Sequence, residues 1–178
     1  MSKVQMQDIM DQVDKDSAYL EELVDDIVNS SCSKLDEYVE YISKIIADPD
    51  YNLTNTELDG IIMTIPTMLY FIGDQREKIG IKYNVAKSSR NYMASSLLRD
   101  TESEVDGKKR TVTERKAEVD ASLFYEDQVI TVYETARDII EKKLNYSTEL
   151  LQSAKKIMSR RISETELSRL TPNRERKD

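Results

Sequence analysis

The scarcity of turn-forming residues constrains the fold of this chain more than any other feature. Only four Gly and three Pro occur among 178 residues, whereas charged residues make up 34%. Few turns combined with abundant charge favour long amphipathic helices over a sheet-rich fold. We therefore predict an all-α chain in which long amphipathic helices form a helical hairpin or bundle.

Large apolar side chains are also scarce. The chain has two Phe and no Trp, and its ten Tyr each carry a hydroxyl that needs water or a partner. A single large core is difficult to build from such residues. Helices that bury part of their surface against copies of the same chain are the alternative, and we predict an oligomer.

The first half of the chain shows helical periodicity with several candidate boundaries. An acidic helix is predicted from Gln5 to about Asn29. Ser31 and Ser33 are predicted to cap a second helix, which ends before Pro49.

A capping box predicts the start of a third helix. Thr54 is followed three residues later by Glu57, the spacing of such a box. Pro66 lies inside the apolar pattern of this helix and is predicted to kink it or to mark a restart.

The second half contains a charged segment and a long helix. Residues 100–110 lack apolar periodicity and include Asp-Gly, which predicts a loop. Thr111 and Glu114 form a second capping-box match, and the helix that they open is predicted from about Thr113 to Met158. Ser163 is predicted to cap a short final helix.

The sequence divides into three functional parts. We predict an acidic helical arm over residues 1–53, a helical region with a basic segment and a loop over 54–112, and a long C-terminal helix with a polar tail over 113–178. The apolar face of the long helix is wider than a two-stranded seam needs. Oligomerisation is assigned to its near-heptad positions, which are Leu123, Ile130, Tyr133, Ile140 and Leu144.

Charge is distributed unevenly along the chain, whose formal net charge is −8. Residues 1–57 hold 14 acidic and 4 basic residues, a balance of −10, whereas residues 76–116 hold 11 basic and 6 acidic residues, a balance of +5. This asymmetry predicts that the middle of the chain binds a polyanion. The acidic arm would then mimic DNA towards a partner or restrain the basic region.

Tyrosines among these cations indicate single-stranded nucleic acid, because phosphates attract cations and unstacked bases pack on flat rings. Lys87 and Arg90 lie three residues apart and Tyr83 lies one turn before Lys87, so the three share one side of a helix. The other predicted DNA contacts are Lys82, Tyr92, Lys108, Lys109 and Arg110. The same charges are also typical of a solvated helix face.

Several function classes are disfavoured by what the sequence lacks. It has no His and one Cys, and it contains neither a phosphate-binding Gly-rich loop nor a dinucleotide fingerprint. We therefore predict a binding protein rather than an enzyme, with no metal and no cofactor. Cys32 is expected to be an ordinary buried thiol.

The same sequence predicts a cytoplasmic protein, in the host cell if the chain is viral. The lone cysteine fits a reducing compartment, and the N-terminus MSKVQMQDIM lacks the pattern of a signal peptide. Its longest apolar stretch, from Ile61 to Ile72, is shorter than the roughly 20 residues of a membrane span. No membrane partner is expected.

Two segments carry a resemblance to a known family. The run from Glu118 to Met158 resembles the C-terminal part of UvsY-type recombination mediators of T-even-like phages, and VDASLFY (119–125) is similar to the start of the family's helix. Upstream, AKSSRNYM (86–93) is similar to the family's basic, Tyr-containing DNA-binding motif. The resemblance covers roughly residues 76–158.

This resemblance implies a non-enzymatic oligomer that binds single-stranded DNA. Such a protein helps to load a RecA-like recombinase onto strands covered by single-strand binding protein, and its C-terminal helix builds a ring. The resemblance carries DNA contacts onto Lys87 and Arg90, with Tyr92 close by.

Two further hypotheses remain open from the sequence. The chain is also consistent with a helical structural, assembly or adaptor protein of a virus that has no nucleic-acid role. A third hypothesis is an inhibitor that presents the acidic arm to a nucleic-acid-binding enzyme of the host. Salt-dependent DNA binding distinguishes the first hypothesis from the other two.

Overall fold

A computed structural model describes residues 3–48, 52–101, 104–105 and 108–170. The chain forms four helices, α1 (Lys3–Ala47), α2 (Asn55–Asp100), α3 (Val112–Ser122) and α4 (Phe124–Leu170). Between α2 and α3, β1 (Glu104–Val105) and β2 (Lys108–Lys109) pair as a minimal antiparallel ladder. The predicted all-α fold with long helices is confirmed, and its oligomerisation stays a prediction.

Both predicted capping boxes are present. The Thr54 N–H donates to Glu57 Oε2 at 2.7 Å, and the Glu57 N–H donates back to Thr54 Oγ1 at 3.2 Å. Thr111 and Glu114 make the same reciprocal pair, at 2.7 Å and 3.2 Å. Hydrogen bonds from the Thr111 backbone N–H and hydroxyl lower the pKa of Glu114. These boxes satisfy backbone groups that a helix start leaves without partners.

The predicted serine caps are wrong. Helix α1 continues through Ser31 and Ser33, and α4 continues through Ser163 to Leu170. The hydroxyl of Ser31 donates back to the Ile27 carbonyl at 3.1 Å, and that of Ser163 to the Ser159 carbonyl at 3.1 Å. A serine that bonds to the preceding turn stays inside a helix rather than starting one.

Pro66 does not mark a restart, because α2 is a single helix from Asn55 to Asp100. A proline removes only one N–H donor, the one that would reach the carbonyl four residues earlier. The backbone hydrogen bonds of the helix before and after Pro66 outweigh the loss of this one hydrogen bond.

Two boundaries near the basic segment also differ from the predictions. The segment predicted as a loop contains the short β1–β2 ladder. The single helix predicted from about Thr113 to Met158 is interrupted at Leu123, whose φ of −101° and ψ of 20° are not helical. The buried Leu123 side chain holds this corner, while the Leu123 N–H donates to the Asp120 carbonyl at 3.3 Å.

The chain divides into two compact units, each built from two separate stretches. Unit 1 comprises residues 1–31 and 75–140, and unit 2 comprises residues 32–74 and 141–178. The buried apolar side chains of unit 1 are Val24, Val28, Ile79, Val119, Leu123, Val132, Ala136 and Ile140. The main buried cluster of unit 2 consists of Ile42, Leu58, Ile61, Ile65, Leu151 and Ala154. The division into three functional parts stays a prediction.

Unit 2 also contains the single cysteine. Cys32 is free and fully buried, as predicted, and burial raises the pKa of its thiol. Nearby, Lys143 Nζ donates to Asp36 Oδ1 at 2.6 Å. Within the described ranges, no helix is long and apolar enough to cross a membrane.

Candidate nucleic-acid interface

Part of the predicted DNA-binding patch lies where α2 faces α4 in unit 1. The hydroxyl of Tyr83 donates to Glu134 Oε1 at 3.2 Å, and Lys87 Nζ donates to the same hydroxyl at 3.4 Å. The Lys87 ammonium also lies 5.5 Å from the centroid of the Tyr83 ring. Tyr83 is therefore held at its hydroxyl by both a cation and a carboxylate.

Two further cation–ring contacts extend this arrangement. The Arg137 guanidinium carbon lies 4.9 Å from the Tyr83 ring centroid, and Lys82 Nζ lies 5.9 Å from the Tyr133 ring centroid. Distances below about 6 Å are those of cation–π attraction. We call these five residues, Lys82, Tyr83, Lys87, Tyr133 and Arg137, the tyrosine–cation cluster.

Arg90 has a different environment. Its Nε donates to Asp127 Oδ1 at 3.0 Å, and one Nη donates to Asp120 Oδ1 at 2.8 Å and to Asp127 Oδ2 at 3.2 Å. The Arg90 side chain is only 19% exposed. Hydrogen bonds to Asp127 and then to Asp120 raise the pKa of Arg90. The guanidinium thus joins α2 to both α3 and the first turn of α4.

This ion pairing means that a phosphate would have to compete with Asp120 and Asp127 for Arg90. A guanidinium binds a carboxylate or a phosphate through the same fork of N–H donors, so the two compete for one surface. Two carboxylates already occupy that surface in Arg90. Arg90 therefore has a structural role in the free chain, and its role as a DNA contact stays a prediction.

The two segments in which the resemblance was noted contact each other in unit 1. Arg90 belongs to the segment AKSSRNYM and Asp120 to the segment VDASLFY, and the two residues form an ion pair. In the second segment Val119 and Leu123 are buried. The two segments are therefore complementary parts of one packing arrangement.

Tyr92 is not part of the tyrosine–cation cluster. It lies nine residues after Tyr83, which is about two and a half helical turns, so the two rings leave opposite sides of α2. Tyr92 is 72% exposed. The structure thus separates two tyrosines that the sequence placed in one site.

The three cations predicted in the loop are placed differently. Arg110 forms an ion pair with Glu118, so its charge is already partnered. Lys108 and Lys109 form β2, and their side chains lie outside the described residues. Their role as phosphate contacts stays a prediction.

The predicted oligomerisation residues also separate into two groups. Leu123 and Ile140 are buried within the single chain, so neither side chain is available to a second copy. Ile130, Tyr133 and Leu144 are partly exposed. A wide apolar face on the C-terminal helix is therefore explained in part by intrachain packing.

Arg137 is the site residue that the sequence reasoning missed. It lies four residues after Tyr133, so both project from the same side of α4. That spacing was a usable signal, but Tyr133 had been assigned to oligomerisation and Arg137 lies outside the basic segment. The tyrosine–cation cluster needs residues from both helices.

The cluster offers cations and aromatic faces but no nucleophile with an activating base. Among the described residues, no group of three or more acidic or cysteine side chains is arranged to hold a metal ion. The chemistry that this surface supplies is attraction of an anion and packing against a flat ring.

Comparisons with known proteins add no family to this description. No protein-family model matches the chain, and neither the curated proteins nor the solved structures contain a significantly similar match.

Proposed function

We propose that this chain is a non-enzymatic single-stranded-DNA-binding protein that helps to load a RecA-like recombinase onto DNA covered by single-strand binding protein. The observation that carries the proposal is the tyrosine–cation cluster, in which three cations lie over two tyrosine rings. The recombination role itself rests on the resemblance of residues 76–158 to UvsY-type mediators.

Lys82 and Lys87 are the cations through which this surface would meet a DNA backbone. Both are exposed, and among the described residues their ammonium groups contact the Tyr83 and Tyr133 rings and the Tyr83 hydroxyl. A phosphate can therefore approach them without breaking an ion pair. The partly exposed rings of Tyr83 and Tyr133 lie beside them, where an unstacked base can pack on an aromatic face.

The binding expected of one subunit is weak. Arg90 is held by two aspartates, and Glu134 places a negative charge beside Tyr83. Few phosphates can then be neutralised by one chain, so strong binding requires several linked subunits. Oligomerisation is part of the proposal for this reason.

The test is fluorescence anisotropy with a labelled oligo-dT strand across a salt series. It compares the wild type with a Lys82→Ala/Lys87→Ala variant and with a Lys15→Ala/Lys34→Ala control. The control removes two exposed lysines of α1 and changes the net charge equally. Because each phosphate contact on a single strand contributes about 0.7 to the salt slope, the cluster variant should lose about 1.4 units of slope.

Two results would count against the proposal. One is a folded wild-type protein that does not bind the strand even at low salt. The other is an equal loss in both double variants, which would assign the binding to net charge rather than to the cluster.

A second candidate function is a helical structural, assembly or adaptor protein of a virus. One observation favours it, namely that Arg90, a cation of the predicted patch, is paired with Asp120 and Asp127 within the chain. The same titration separates the two candidates, because an adaptor without a nucleic-acid role gives no salt-dependent binding.

A further inference from the structure

The outward side of α2 in unit 1 is uncharged over about four helical turns. Ile81 and Val85 are each 62% exposed, and Tyr92 lies on the same side. Of the charged residues between positions 81 and 96, Lys87 and Arg90 leave α2 on other sides, and Lys82 lies at the edge of this side. Exposed apolar side chains in a continuous patch mark an interaction surface. We call Ile81, Asn84, Val85, Ser88, Ser89 and Tyr92 the α2 outer face.

This face has a depression and a protrusion. The depression is lined by Ile81, Asn84, Val85, Ser88 and Ser89, where small and short side chains leave room between larger ones. Its residues include positions i, i+3, i+4 and i+7, the set of four that forms a hole for a side chain from a facing helix. The protrusion is the exposed ring of Tyr92, one turn beyond the depression.

We propose that the α2 outer face binds the same face of a second copy of this chain, with the two helices antiparallel. The two-fold axis passes between Ser88 and Ser89. Val85 and Tyr92 are each three and a half residues from that point, or about 5 Å along the helix, so Tyr92 of one copy faces Val85 of the other.

In this register the ring of Tyr92 enters the depression of the second copy. The two-fold axis makes the contact reciprocal, because each copy supplies one depression and one ring. Ser88 and Ser89 meet at the axis, where their small side chains let the helices approach closely. A parallel pair would instead place the two Tyr92 rings together and leave both depressions unfilled.

Charges beyond the uncharged stretch support the antiparallel register. Lys78 lies about 16 Å from the axis on one side, and Asp100 lies about 17 Å from it on the other. The two-fold axis therefore brings Glu77 and Lys78 of one copy level with Arg99 and Asp100 of the second copy, within one residue's rise. All four are exposed. Lys78 and Asp100 lie towards one edge of the face and Glu77 and Arg99 towards the other, so each cation has a carboxylate of the second copy beside it.

This inference goes beyond the proposed function, because none of its residues belongs to the tyrosine–cation cluster. It also differs from the predicted ring through the C-terminal helix. Loss of DNA binding would leave this contact unaffected, and loss of this contact would leave the difference between the Lys82→Ala/Lys87→Ala variant and its control unaffected.

The test is disulfide cross-linking of two matched single-site variants, Ser88→Cys and Ser95→Cys. Both serines are exposed on α2, and the native Cys32 is buried in both proteins. Ser88 lies beside the axis, whereas Ser95 and its copy lie about 20 Å apart along the helix. A disulfide needs Cα atoms about 4.4–6.8 Å apart, so mild oxidation should link Ser88→Cys into a dimer about ten-fold faster than Ser95→Cys.

Adding Tyr92→Glu to Ser88→Cys provides a second readout. A carboxylate cannot enter the apolar depression without losing its hydration, so cross-linking should fall back to the rate of Ser95→Cys. Circular dichroism checks that the variant keeps its helices. Equal cross-linking of Ser88→Cys and Ser95→Cys, or cross-linking that Tyr92→Glu does not change, would overturn the proposal, as would sedimentation of the wild type as a monomer at all concentrations.

Discussion

The two sides of α2 within unit 1 both carry polar and apolar residues, but they differ in what covers them. The side that packs against α3 and α4 carries Arg90 and Tyr83, whose polar atoms bind carboxylates. The outward side carries Ile81, Val85 and Tyr92, which are exposed. The comparison teaches that a cation in a basic segment can serve packing, while an uncharged strip on the same helix is the surface free to bind.

Packing on the inner side places Arg90 and Tyr83 against carboxylates of α3 and α4. The Arg90 guanidinium has a matching carboxylate on each of two helices, and buried Ile79 completes the contact with apolar surface. An arginine can bury its methylene stem while its head forms hydrogen bonds. The two sides therefore differ in what they contact and not in how hydrophobic each of them is.

The largest expected difference between the sides comes from two isoleucines two residues apart. Ile79 is 5% exposed and Ile81 is 62% exposed. Ile79→Ala should lower the free energy of unfolding by about 2–4 kcal/mol, because it leaves a cavity. Ile81→Ala should change it by less than about 0.5 kcal/mol. Urea unfolding at protein concentrations too low for self-association measures the free energy of unfolding of both variants. Equal decreases for Ile79→Ala and Ile81→Ala would contradict the distinction between the two sides.

A smaller effect is expected from two arginines of α2. Arg90→Ala leaves Asp120 and Asp127 side by side without a cation and should cost about 2 kcal/mol of unfolding free energy, since both carboxylates keep some water. Arg99 is exposed and donates its Nε to the Ser95 carbonyl at 3.2 Å. Arg99→Ala should therefore have little effect. Thermal unfolding measures both variants. A melting temperature of Arg90→Ala equal to that of the wild type would contradict the structural role of Arg90.

The smallest effect is expected from two tyrosines. Tyr83→Phe removes the hydroxyl that donates to Glu134 and accepts from Lys87, but it keeps the ring under its cations. We expect the free energy of unfolding to fall by about 0.5 kcal/mol, because this hydrogen bond is partly exposed. Urea unfolding measures this change. For Tyr92→Phe it should show no change in the free energy of unfolding, since the Tyr92 hydroxyl faces outward. A larger loss for Tyr92→Phe would show that the outward side is covered within the single chain.

Local signals in the sequence were sufficient where a structural feature depends on a few neighbouring residues. Thr54 with Glu57 and Thr111 with Glu114 start helices as predicted, because both partners of a capping box lie within one turn. Ser31 and Ser163 were wrongly predicted to cap helices, because a serine hydroxyl can also donate to a carbonyl of the preceding turn. The corner at Leu123 was missed because no Gly or Pro marks it in the sequence.

The candidate site was only half predictable for a different reason. Spacing placed Tyr83, Lys87 and Arg90 near one another, but it could not show which side of α2 would pack. Apolar residues occur on both sides, as Ile79 and Ile81 illustrate. The partners of Arg90 lie 30 and 37 residues further along the chain, beyond the reach of any periodicity. Only the tertiary structure shows which cations are paired with aspartates and which are open to a phosphate.

The alternation of the two compact units along the chain has a consequence for biosynthesis. Residues 1–31 must wait for residues 75–140 before unit 1 is complete, and residues 32–74 must wait for residues 141–178 before unit 2 is complete. A growing chain therefore cannot finish one unit before it has synthesised part of the other, although many proteins fold domain by domain from the N-terminus. Stalled or prematurely terminated chains that end before residue 140 would leave both units incomplete, with apolar helix faces open to proteases and chaperones.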